Sequence, residues 1–175
     1  MAQDYEENII KPPIPLPRTK NPVPLPRTNI NETNKALKGY TKSYEINIKN
    51  DKDPLLQMQS TRLAVGKYLK KVLGKMKGFK FTETMKITFE KHIGDEVQTK
   101  TAYFNSKPQT IINGTEIVDS LKLTEEHITL QIAQWISEGS GWRIQSVDNH
   151  YINIVKYNPT KGSSYIELPS EPRHI

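Results

Sequence analysis

Acid–base, nucleophilic and metal chemistry need histidines, thiols or carboxylates that converge, and this chain offers few of them. It has no cysteine, and its four histidines, His92, His127, His150 and His174, match no metal-ligand spacing. Two acid–histidine strings stand out. Glu125-Glu126-His127 opens a helical stretch, where acids suit the positive end of the helix dipole. Asp148-Asn149-His150 lies between two apolar runs, where Asp and Asn suit a hairpin turn. Local structure accounts for both strings, so neither is assigned a catalytic role. Gly139-Ser140-Gly141 follows a helical pattern and precedes a strand, the reverse of a nucleophile elbow. With no phosphate loop or dinucleotide fingerprint either, the expectation is a protein without enzymatic activity, cofactor or metal.

The remaining chemistry is electrostatic. The 175 residues carry a formal charge of +6, and residues 54–78 hold all of the excess: Arg62, Lys67, Lys70, Lys71, Lys75 and Lys77, with no acid among them. Cations gathered on one helical face suit phosphates, so Arg62, Lys67, Lys70, Lys71 and Lys75 are candidate contacts to DNA or RNA. The solvated outside of an amphipathic helix is built from the same residues, and the pattern alone leaves both readings open.

A second partner surface is spelled by a tandem repeat, K-x-P-[I/V]-P-L-P-R-T, at residues 11–19 and 20–28. Alternating prolines exclude helix and sheet ladder and favour polyproline II, which would set Arg18 and Arg27 on one face about 28 Å apart. Each unit contains P-x-x-x-P-R. Pro13, Pro17 and Arg18, then Pro22, Pro26 and Arg27, therefore resemble atypical ligands of SH3-type domains, with prolines in aromatic grooves and arginine in an acidic pocket. A stiff, soluble spacer would have the same composition.

These surfaces need a scaffold, and the rest of the sequence supplies the signals for one. Seven of the twelve prolines fall between Pro12 and Pro26, which marks residues 1–41 as a disordered arm and leaves 42–158 for a single domain. Asn29 to Thr41 reads as a polar linker, with a helical turn around Lys35–Leu37. Tyr44, Ile46 and Ile48 alternate as a first strand. Asp53-Pro54 then starts a helix whose apolar arc is Met58, Val65, Tyr68, Leu69, Val72, Leu73 and Met76, and Gly78 ends it. Phe79, Phe81, Met85, Ile87 and Phe89 alternate with Lys and Thr as a second strand, paired through the turn at Gly94-Asp95 with a third over Val97 to Phe104. Asn113 and Glu116 form a capping box that opens a short turn. Thr124 is expected to cap the second helix, in which Ile128, Ile132, Trp135 and Ile136 share a face before Gly139. Strands either side of an Asp148-Asn149 turn follow, and residues 159–175 read as a tail or edge strand. The resulting order, β-α-β-β-α-β with an extra C-terminal hairpin strand, predicts an α+β fold of the split βαβ, ferredoxin-like kind, two helices covering one face of an antiparallel sheet. The open face of such a sheet binds RNA where aromatics stack bases, but Lys100-Thr101-Ala102-Tyr103-Phe104 lacks the glycine of that motif and reads as packing. No apolar leader or 18-residue apolar window occurs, so a soluble, intracellular protein with no membrane contact is expected.

Longer strings carry a resemblance. The doubled P-[I/V]-P-L-P-R-T, Asn34 to Glu45 (NKALKGYTKSYE), Lys100 to Lys107 (KTAYFNSK), Ala133 to Trp142 (AQWISEGSGW), Tyr157-Asn158-Pro159 and Gly162 to Pro169 (GSSYIELP) together resemble the N-terminal leader of large open reading frames in Polinton (Maverick) mobile elements of invertebrates, especially cnidarians. The later parts of those proteins resemble protein-primed family B DNA polymerases. The polymerase motifs D-x-x-S-L-Y-P and Y-x-D-T-D do not occur here, so the resemblance transfers no catalytic residue. It implies a truncated or stand-alone leader, an accessory module of transposon-type DNA replication.

Overall fold

The computed structural model describes residues 27–36 and 39–157. Helix α1 (Pro54–Met76) begins where its sequence requires, with the Asp53 side chain accepting from the Leu56 amide and Pro54 in the first turn. It ends at Lys77, whose φ of 62° is left-handed and whose amide bonds back to the Leu73 carbonyl. Val65, Leu69 and Val72 are buried along one stripe, and β3 (Phe79–Ile93) continues it with Phe79, Phe81, Met85, Ile87 and Phe89 on a single face. The remaining strands are β1 (Ile30–Ala36), β2 (Thr41–Ile46), β4 (Glu96–Asn105), β5 (Gln109–Ile111) and β6 (Arg143–Lys156), and the second helix is α2 (Ile117–Glu138). Among the described residues the fold is α+β, with an antiparallel sheet of six strands and two helices.

The sheet runs β1-β2-β6-β3-β4, with β5 beside the start of β3. One apolar cluster joins Val65, Leu69 and Val72 of α1 to Tyr44, Phe79, Phe81 and Ile154; a second joins Ile128 and Ile132 of α2 to Met85, Ile87, Phe89 and Phe104. Both lie on the same side of the sheet. The opposite side is polar, crossed by a chain of hydrogen bonds from Ser43 to Asn153, Thr84 and Asn105.

Several sequence expectations are corrected. The strand between β2 and β3 is β6, whereas the ferredoxin-like order would put the third strand of the βαββαβ series, β4, there; β4 stays outside β3 as its hairpin partner. The stretch read as a linker contains β1, which pairs with β2 from Ile30 opposite Ile46 to Ala36 opposite Thr41, so the ordered chain starts before residue 42. Its Asn, Glu, Thr and Lys residues have no apolar alternation because most of them are exposed. Among the described residues the strands beyond the expected series are therefore β1 and the short β5, and none forms a C-terminal hairpin: Asp148 and Asn149 lie within β6, not in a turn. Cross-strand bonds hold them extended, Asp148 accepting from Thr88 and Asn149 donating to Glu45, and Ser146 of the same strand also donates to Asp148. The register skips Asp148 opposite Lys86 and Ile87, a bulge that lets both Val147 and His150 face the core. Nor does Thr124 cap a helix. The Asn113–Glu116 capping box forms as expected, but a single 3-10 turn leads straight into α2, in which Thr124 is buried and donates to Glu83. Most of the proline repeat, and residues 159–175 with their expected tail or edge strand, lie outside the described residues.

Strand β1 covers the edge of β2. A chain that begins at Thr41 should expose that edge and self-associate, visible in sedimentation velocity as dimers and larger species that the full chain does not form.

Candidate nucleic-acid interface

The five cations picked out on α1 separate once the helix is packed. Arg62 turns toward α2 and pairs with Glu125, so it is removed from the free basic face. Lys67 and Lys70 flank a groove between the helices whose walls are Leu63, Gly66, Val118 and Leu121. Lys71 and Lys75, one turn apart, border a hollow between α1 and β2. Lys67, Lys70, Lys71 and Lys75 are exposed, and none makes an ion pair among the described residues.

Three further lysines join the last pair. Lys42 projects to the helix side of β2, on the same parity as Tyr44 and Ile46, and lines the same hollow. An adjoining hollow shares Lys42 and Met76 and adds Lys35 of β1, Tyr40 and Lys156 of β6, with the Lys156 ammonium 5.5 Å from the Tyr40 ring. Five lysines from four elements thus meet at one end of the sheet. Among the described residues Glu32, 3.8 Å from Lys42, is the one acid lining either hollow. Sequence reasoning missed Lys35, Lys42 and Lys156, although Lys42 carried a signal: a lysine at an inward-facing strand position.

Tyr68 and Tyr44 form the hollow's inner wall, their rings edge to face at 5.0 Å. Burial, then the neighbouring Tyr68 and Glu32, push the Tyr44 phenol well above its ordinary range, so it stays a protonated donor. Tyr44 donates its hydroxyl proton to Tyr68 and Glu32, which leaves Lys42, Lys71, Lys75 and the Tyr68 hydroxyl as donors toward the hollow, an arrangement that suits an anion.

The acid–histidine strings do not assemble into a reactive cleft. Glu125 is held by Arg62, and His150 is fully buried, where its Nε2 lies 2.6 Å from Glu83. The backbone fixes the proton on that pair. Gln57 Oε1 accepts from the amides of Lys49 and Asn50, so its NH2 must face the Asn47 carbonyl and His150 Nδ1. Nδ1 then accepts and Nε2–H donates to Glu83, which also accepts from Thr124. Both partners are sealed from solvent, at 0% and 3% exposure, so the pair is structural.

Among the described residues no cluster of three acids and histidines is placed to hold a metal, and no helix is long and apolar enough to cross a membrane. Of the residues assigned to SH3-type recognition, Pro13, Pro17, Arg18, Pro22 and Pro26 lie outside the described residues, and Arg27 is exposed. No family model, no curated protein and no solved structure matches this chain.

Proposed function

We propose that this domain is a non-catalytic module that binds nucleic acid through the lysine-rich end of its sheet and the adjoining face of α1. The observation that carries the reading is the convergence of Lys35, Lys42, Lys71, Lys75 and Lys156, with Glu32 the one acid among the described residues there. Like charges repel, and an end of the molecule that collects them from four separate elements attracts a polyanion over a Debye length of about 8–10 Å. The resemblance to mobile-element leaders supplies a setting, DNA replication, in which that polyanion is DNA.

Binding to fluorescent duplex should weaken steeply with salt, by a log–log slope of about 0.9 for each phosphate neutralised. Replacing Lys42, Lys71 and Lys75 together by glutamine should flatten that slope by about 2.7 and leave the melting temperature unchanged. An unchanged slope in the variant would sink the reading.

A further inference from the structure

We propose that the hollow between β2 and α1 is a receptor for a phosphate monoester, the phosphorylated end of a nucleic-acid strand. This rests on the proposed function only for the source of the phosphate. Its volume, about 170 Å³, is well below the roughly 300–1,000 Å³ of pockets that enclose whole small molecules. It therefore suits a single charged group. The charged residues lining it are Lys42, Lys71 and Lys75 against Glu32, an excess of two positive charges. A phosphate monoester carries about −1.5 to −2 at neutral pH and balances that excess, whereas a phosphodiester within a strand carries one charge and is flanked by sugars on both sides. The cations are all lysines. Ammonium point charges match a tetrahedral phosphate, while the planar fork of arginine, absent from the hollow, is the better match to a carboxylate. Tyr68 and Tyr44 close the inner wall, and Val72 and Met76 give it an apolar side that limits hydration of the lysines. Beyond Lys42 and Met76 the second hollow continues with Lys35, Tyr40 and Lys156, where the following nucleotides of a strand would lie. That continuity selects a strand end over a free phosphorylated small molecule.

The test is fluorescence anisotropy of one single-stranded oligonucleotide in three forms, 5′-phosphorylated, 3′-phosphorylated and with hydroxyls at both ends, against the full chain at 0.15 M salt. One phosphorylated form should bind about tenfold more tightly than the hydroxyl form. Lys42→Gln with Lys71→Gln should abolish that preference, while Lys67→Gln with Lys70→Gln, outside the hollow, should weaken every form equally and preserve it. Equal affinity of the full chain for all three forms would overturn the inference and leave the proposed function standing. A parallel NMR titration with ribose 5-phosphate separates the two ideas: shifts confined to Tyr68, Lys71 and Lys42, with no oligonucleotide binding at any salt, would keep the phosphate receptor and overturn its assignment to nucleic acid.

Discussion

His150→Ala should lower the unfolding free energy by about 3–5 kcal/mol, the cost of removing one partner from a buried, hydrogen-bonded pair. The loss has two parts: Glu83 is left in the core without the donor 2.6 Å away, and Gln57 loses the acceptor that engaged half of its amide group. Glu83→Gln should cost much less, because the amide oxygen still accepts from His150 and its NH2 can donate to the Thr124 hydroxyl, which also bonds the Leu121 carbonyl. Replacing both residues by apolar ones of similar volume, Glu83→Met with His150→Leu, should cost less than His150→Ala alone. Urea unfolding of the three variants checks the ranking. A Glu83→Gln loss as large as that of His150→Ala would show that the charge of Glu83, rather than its hydrogen bonds, stabilises the core.

Phe89→Ala should cost a similar amount, about 3–5 kcal/mol, by a different route. Phe89 is completely buried, stacks on Trp135 at 3.9 Å between ring centroids, and meets Phe104 edge on at 6.0 Å. Removing the ring opens a cavity beneath α2 and leaves the indole without its stacking partner. Trp135 touches Trp142, and these are the two tryptophans of the chain, so intrinsic fluorescence should report the change directly. Its emission should shift to the red in the folded variant, and the urea midpoint should fall. A fluorescence change without a loss of stability would mean that α2 settles to fill the space.

What could be read in advance divides along a physical line. Helix α1 and strand β3 were legible because each states its period and its boundary in its own residues: Asp53-Pro54 at the start, inward Leu69 and Phe81, both buried, and Gly78 at the stop, one residue past the left-handed Lys77. The capping box at Asn113 was legible for the same reason. Strand β1 and the middle of β6 were not, because what makes them strands lies elsewhere in the chain. Asn31 and Glu32 are extended because Glu45 and Tyr44 stand opposite, and Asp148 and Asn149 because hydrogen bonds to Thr88 and Glu45 tie them into the sheet. Thr124 was misread as a cap because its partner, Glu83, is 41 positions away. The candidate site divides in the same way. Lys71 and Lys75 could be found from helical spacing, but their meeting with Lys42, and the loss of Arg62 to Glu125, depend on how α1 is packed.

The place of β6 between β2 and β3 sets the order of events in folding. Its inward residues Val147, Ile152 and Ile154 reach both apolar clusters, and its partners on the β2 side precede it by about a hundred positions. On a ribosome, the described chain before Arg143 emerges as a β1–β2 hairpin with α1 and a β3–β4 hairpin with α2, which meet through their helices and through Phe79 and Phe81 but leave one edge of β2 and one of β3 without a partner until β6 arrives. Native closure must wait for β6, so contact order is high and folding from the denatured state should be slow for a domain of this size. A nascent chain halted before Val147 would carry two open edges into crowded surroundings, which makes it a substrate for chaperones.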